Sequence, residues 1–266
     1  MTAGRLVLIV SSCAIAFGGC ARALSTPALP SRNNMVLDQL VIFSDSALPK
    51  HHRLLEELRT QRVLVSTKLG LPTSDEPIHV YLFPTSDRLE SYLRVHYPGL
   101  PKRRAFFVES DTRLTVYAYW GDRVAEDLRH EVAHGYLHSV VPNLPLWLDE
   151  GLAEYFEVAR GQAGLNRAHL DHLTGESASF WQPDLKRLEQ LHTTGEMTQD
   201  EYAQSWAWAH FLLESSPQRL QVLQGYLQSL AKSPHRAPLS ESLRRADPQC
   251  EQNLIDHLAV LRQSLQ

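Results

Sequence analysis

Residues 130–134 read His130-Glu131-Val132-Ala133-His134. Four residues apart on a helix, two imidazoles share one face and can reach a single ion. Glu131 sits one residue further round, where it can face a water on that ion rather than the ion itself. The chemistry needs this division. Neutral nitrogen ligands hold Zn²⁺, which brings the pKa of its water to about 7. A nearby carboxylate takes the proton as the water attacks a peptide carbonyl. His130 and His134 are therefore the expected metal ligands, and Glu131 the expected general base. A pattern of three fixed letters also arises by chance in unrelated helices, so the surrounding residues have to decide.

A hydrolytic zinc centre takes three protein ligands and leaves a position for water. His138 lies on the same helical face, but eight residues of helix separate it from His130 by about 12 Å along the axis. Those two cannot share an ion, and His138 reads as a partly buried or surface histidine. The metzincin extension would require Gly at 137 and His at 140, where the chain has Leu137 and Val140. A better source is the acidic helix Leu146-Trp-Leu-Asp-Glu-Gly-Leu-Ala-Glu-Tyr-Phe156. Val141 to Pro145 is long enough only for a turn, so this helix returns antiparallel to the first. At 1.5 Å per residue, His134 lies about 10 Å before the end of the first helix and Glu150 about 7.5 Å into the second. Glu150 then comes level with His134, and Glu154 lies one turn on, towards His130. Two carboxylates on so apolar a helix need cationic or donor partners; a helix with one solvated acidic face is the plainer alternative. Spacing alone leaves Glu150 and Glu154 both open as the third ligand.

His-Glu-Val-Ala-His, followed by Trp147-Leu-Asp-Glu-Gly-Leu-Ala-Glu-Tyr155, resembles the gluzincin zinc metallopeptidases. The likeness is to the aminopeptidase N-like and peptidase MA-like groups, and it covers residues 123–157, with a weaker similarity of layout over 78–215. The resemblance implies Glu150 as the third zinc ligand and Glu154 as the carboxylate that orients a zinc-bound histidine. It also implies an edge strand along which an extended peptide substrate adds, for which Leu114–Ala118 is the candidate. For the group that stabilises the oxyanion, the segment opening at Tyr202 is similar to a Tyr-x-Gln-Ser/Ala-Trp/Tyr stretch of MA-like proteins. Tyr202, Trp206, Ala209 and Leu213 also follow plain helical core spacing. The Gly-x-Met-Glu-Asn segment of the aminopeptidases is missing, so the resemblance does not extend to their specificity.

The elements that must position these residues can be read around them. Leu40–Phe43 and Ile78–Phe83 are strand-like, and Ala105–Glu109 with Leu114–Trp120 form a plausible hairpin. Residues 48–69 show helical spacing up to Gly70, and Asp87 with Glu90 offers a cap for a helix reaching His96. From Arg123 the chain is mostly helical. One helix runs to about Val141, a second starts at Pro145, a third follows the Thr198-x-x-Glu201 capping box, a fourth starts at Pro217, and the last covers 248–264. Mixed elements followed by helices only predict an α+β fold, which the resemblance makes zincin-like. Residues 35–160 form the half with the metal-binding helices, and 161–266 a helical lobe of the same catalytic unit.

Residues 1–20 differ from the rest. One positive charge, an apolar run from Leu6 to Phe17 and small residues before Cys20 make the layout of an export signal, and the run is too short to span a bilayer. Gly18-Gly19-Cys20 resembles the lipobox of bacterial lipoproteins, with Phe17 where Leu is usual. That reading makes Cys20 a lipidated residue, 21–34 a tether, and the membrane a partner through a lipid anchor at the cell envelope. Ordinary cleavage after Ala21-Arg22-Ala23, giving a secreted or periplasmic protein, is the alternative. Cys250 is then left without an internal disulfide partner. The formal net charge of −4 and pI near 6.3 give no basic footprint, so nucleic acid is not an expected partner. The expected function is hydrolysis of peptide or protein substrates with Zn²⁺. A non-catalytic zincin-fold binding or scaffold lipoprotein is the competing reading, and an amidase acting on cell-wall peptides would share the same site.

Overall fold

Ile78–Phe83 is apolar at almost every position, which suits a strand covered on both faces. It forms β3 of a five-stranded sheet with β1 (Asn33–Leu37), β2 (Leu40–Ser44), β4 (Ala105–Ser110) and β5 (Arg113–Tyr119). The computed structural model describes residues 27–49, 51–175, 181–233 and 237–265, so the expected export signal and Cys20 lie outside the described residues. The strand order is β1-β2-β3-β5-β4, with β2, β3 and β5 parallel and β1 and β4 antiparallel at the edges. The period-two alternation of a strand divides β3 between two cores. Ile78, Val80 and Leu82 join the main core with α1 (Arg53–Leu69) and α3 (Val124–His138); Tyr81 and Phe83 pack on the other face with Leu89, Tyr92 and Leu93 of α2 (Ser86–His96).

Helices make up the remainder: α4 (Leu146–Phe156), α5 (Arg167–Thr174), α6 (Leu185–Leu188), α7 (Gln199–Glu214), α8 (Pro217–Lys232), α9 (Leu239–Ala246) and α10 (Cys250–Gln263). The fold is α+β, a mixed sheet followed by a helical lobe. One buried cluster runs from Leu40 in the sheet to Leu258 in the last helix, so both halves share a core. No helix among the described residues is long and apolar enough to cross a membrane.

Several local signals act as the sequence predicts. Gly70, at φ 62°, ends α1 in the left-handed conformation that glycine adopts without strain. Thr198 and Glu201 form a reciprocal capping box at the start of α7. Others differ. β1 starts inside the segment expected to be a tether, because Met35 and Leu37 find apolar cover beside β2. α2 is capped by Thr85, whose hydroxyl accepts from the Arg88 backbone N–H, and Asp87 lies within its first turn. The expected edge strand 114–118 is interior: β5 pairs with β3 on one side and β4 on the other. The hairpin turns outward after β4, which leaves β4 as the free edge on that side of the sheet.

Candidate metal centre

The chain between α3 and α4 folds the second helix back along the first. The order of contacts shows it. His138 pairs with Asp149, His134 with Asp149 and Glu150, and His130 with Glu150 and Glu157. Two glycines permit the close packing. A Cβ on Gly135 would lie 2.9 Å from Ile78 Cδ1, so its absence lets α3 settle on β3 beside His134. A Cβ on Gly151 would lie 2.3 Å from the Ser205 carbonyl oxygen, so α4 meets α7 almost backbone to backbone next to Glu150.

Each imidazole is held from behind by a carboxylate. His130 Nδ1 is 2.9 Å from Glu157 Oε2, and His134 Nδ1 is 2.8 Å from Asp149 Oδ1. Asp149 is ionised and only accepts, so His134 Nδ1 donates to it. Glu157, whose carboxyl burial pushes up to about 7, accepts from His130 Nδ1 in its ionised form, and both Nε2 atoms turn inward. These Nε2 atoms stand 3.2 Å apart. Glu150 Oε2 completes a triangle, 3.5 Å from His130 Nε2 and 3.7 Å from His134 Nε2. It is buried and has no hydrogen-bond partner among the described residues, a costly state for a carboxylate oxygen that meets no cation. A point about 2.0 Å from all three atoms exists inside this triangle, a normal metal–nitrogen and metal–oxygen distance. His130, His134 and Glu150 could thus hold a metal ion.

The electrostatics ask for positive charge at that point. Burial works against protonation of His130, but Glu150 and Glu157 outweigh it and raise its pKa well above the usual value. His134 behaves likewise, with Asp149 and Glu150 overriding burial. Burial raises the Glu131 carboxyl, while both imidazoles oppose it. Asp149 would also be raised by burial, yet His134 and His138 hold it far below the usual carboxylate range. A metal cation would take over the role that protons play in this cage.

His130, at one corner of the triangle, lines a cavity of about 990 Å³ together with Glu131, Glu154, Arg103 and Tyr202. Glu131 therefore faces open space beside the metal position. The Phe107 backbone N–H on β4 donates towards its carboxylate, and the Phe107 ring stacks on His134 at 5.8 Å. Tyr202, near the start of α7, is half-buried and accepts a hydrogen bond from Arg103 Nη2 at 3.0 Å. A guanidinium can only donate, so the phenol oxygen must accept there and its own proton is directed elsewhere. Burial and the nearby Glu150 raise the phenol pKa, which keeps that proton in place at neutral pH.

The structure brings His130, Glu131 and Tyr202 to the wall of one cavity, with His134 and Glu150 buried behind His130. Glu154 lines the cavity but is bonded by His169 Nε2 at 2.8 Å and Asn166 Nδ2 at 3.2 Å, while Glu157 makes the contact to His130 that was expected of it. The reason is helical phase. At 100° per residue, i+4 falls about 40° to one side of Glu150 and i+7 about 20° to the other. Glu154 therefore leans to α5 and Glu157 to His130. Asp149, Glu157 and Arg103 are site residues that the sequence reading did not single out. Asp149 had a usable signal, since the same antiparallel return that brings Glu150 level with His134 also brings its neighbour there. Arg103 had none, because the loop leading into β4 has no period.

A family model described as "Protein of unknown function (DUF1570)" matches residues 124–239. That span begins with α3 and takes in both helices of the candidate metal site and α7, and it leaves out the sheet, which precedes it in the chain. No curated protein matches the chain.

Proposed function

We propose that this chain is a zinc-dependent peptidase, with His130, His134 and Glu150 as ligands and Glu131 as general base. The observation that carries the proposal is the inward-facing triangle of two Nε2 atoms and an orphaned carboxylate oxygen, one of whose residues, His130, lines a cavity together with Glu131. Two imidazoles and one carboxylate suit zinc, whereas magnesium and calcium favour all-oxygen sites. Zinc bound there would acidify a water and polarise a carbonyl. Glu131 accepts the proton of the attacking water and passes it to the departing amine. Tyr202 donates its Arg103-directed hydroxyl to the carbonyl oxygen as negative charge develops on it. The free edge of β4 offers an extended peptide a strand to pair with. The proposal includes the compartment. The apolar run before Gly18-Gly19-Cys20 supports export, with Cys20 as lipid attachment point, and Cys20→Ser should move the protein from the membrane to the soluble envelope fraction.

The test has two parts. Elemental analysis should find about one zinc per chain, lost in His134→Ala. Glu131→Gln should keep zinc and melting temperature while losing roughly 10²–10⁴ of turnover on a peptide that the wild type cleaves. A zinc-loaded wild type that cleaves nothing in a broad peptide library would sink the peptidase reading in favour of a binding lipoprotein.

A further inference from the structure

Behind the ligand triangle runs a chain of contacts that the hydrolytic reading does not use. Asp149 gives Oδ1 to His134 Nδ1, and its other oxygen, Oδ2, is 2.9 Å from His138 Nε2. His138 Nδ1 is in turn 2.8 Å from Glu109 Oε2, near the end of β4. Both nitrogens of His138 thus face carboxylates. Carboxylates in their ionised form only accept, so both nitrogens must donate and the ring is an imidazolium. Phe107, two residues before Glu109, packs against His134 and His138 alike, with ring centroids 5.8 and 5.1 Å away.

We propose that His138 is a positioning residue for the metal centre. By holding the second oxygen of Asp149 it fixes the carboxylate that orients His134, and through Glu109 it ties the metal-binding helices to edge strand β4. The proposal rests on the metal reading above. A carboxylate bonded through one oxygen can turn about its Cβ–Cγ bond and let the imidazole swing. Bonded through both, it has one plane, and His134 Nε2 keeps its aim at the metal position. His138 reaches the ion through Asp149, without sharing it with His130. This explains how a histidine eight residues from the first ligand can serve the same site.

The experiment compares zinc affinity, by chelator competition, in wild type, His138→Gln and His138→Asn. The amide of Gln falls near the position of Nε2 and can donate to Asp149; that of Asn falls near Nδ1 and cannot. Metal-free melting temperatures are measured alongside, with the visible spectrum of the cobalt-substituted proteins as a readout of ligand geometry. His138→Asn should weaken zinc binding about 10–100-fold and alter the cobalt bands, and His138→Gln should stay within about threefold of wild type. Equal affinity in all three proteins, or equal weakening in both variants, would overturn the proposal. So would two zinc equivalents per chain falling to one in His138→Asn, which would make His138 a ligand of a second ion. If His138→Asn does not fold without metal, the imidazole ¹⁵N shifts of wild-type His138 take its place: two protonated nitrogens are expected, and one bare nitrogen would overturn it. A wild type that binds no zinc would instead remove the metal reading itself.

Discussion

Glu157 Oε2 lies 2.9 Å from His130 Nδ1, although Glu157 caps the far end of α4, seven residues beyond Glu150. This contact, and not one from Glu154, fixes the tautomer of the first ligand. Glu157→Ala should therefore weaken zinc binding by about 10–100-fold. Glu154→Ala, whose bonds go to His169 and Asn166, should change it by less than about threefold. Chelator competition on the two variants checks the ranking, and the reverse order would refute it.

The contrast between Glu154 and Glu157 also marks where sequence reasoning stops. His130, Glu131 and His134 are legible because helical spacing alone puts them together. The axial rise through a short turn narrows the third ligand to Glu150 or Glu154, and only the resemblance to gluzincins points to Glu150. Choosing between neighbouring carboxylates needs the azimuth of α4 about its own axis, which is set by Gly151 against Ser205 on a helix more than fifty residues away in sequence. The edge strand was misplaced for a similar reason. The sequence identifies Ala105–Glu109 and Leu114–Trp120 as a hairpin, but which of its strands joins β3 depends on long-range pairing that neither strand encodes. His138 looked idle because its partners come from α4 and β4, both distant in sequence.

Tyr202 and Arg103 should act on turnover more than on binding. Removing a single oxyanion donor costs about 10²–10³ in kcat, so Tyr202→Phe should lose that much with KM and zinc content little changed. Arg103→Ala should shift kcat the same way by a smaller factor, because the phenol remains but its proton is no longer directed. Steady-state kinetics on one cleaved peptide separate these effects. Unchanged kcat in Tyr202→Phe would reduce Tyr202 to a packing residue.

Gly151→Ala puts a methyl group 2.3 Å from the Ser205 carbonyl oxygen, with backbone on both sides and no flexible side chain to give way. Overpacking of this kind costs about 1–3 kcal/mol or more. A lower denaturation midpoint in urea is expected, together with a loss of zinc affinity as α4 and Glu150 shift. A variant as stable as wild type would mean that α4 and α7 can part without cost.

Acid should weaken the helical lobe through His210 and His257. His210 is buried, its Nδ1 is 2.9 Å from His257 Nε2, and burial beside that second ring pushes its pKa down to about 4. His257 is lowered by burial as well. Above pH 6.5 both rings are neutral in the folded and unfolded chains, and the stability they confer is complete. As pH falls from 6.5 towards 4, the unfolded chain takes up a proton that folded His210 refuses, so stability drops by up to about 1.4 kcal/mol per pH unit through that ring, and His257 acts in the same direction. Urea melts of wild type and His210→Phe at several pH values in that window should show a shallower slope for the variant. Parallel slopes would refute the assignment.

The side-chain amide of Gln61 donates to the backbone carbonyls of Arg129 on α3 and Phe156 at the end of α4, at 2.7 and 3.2 Å. Both ligand-bearing helices are thus pinned to α1 by a residue that touches no ligand. Their spacing is inherited from the scaffold, so the binding energy of an incoming ion need not be spent on organising the chain. This differs from small metallo-domains that collapse only around their metal. Chelation should yield a protein with unchanged circular dichroism that can be reloaded, and one divalent ion should exchange for another at a rate set by ligand release, with no unfolding step.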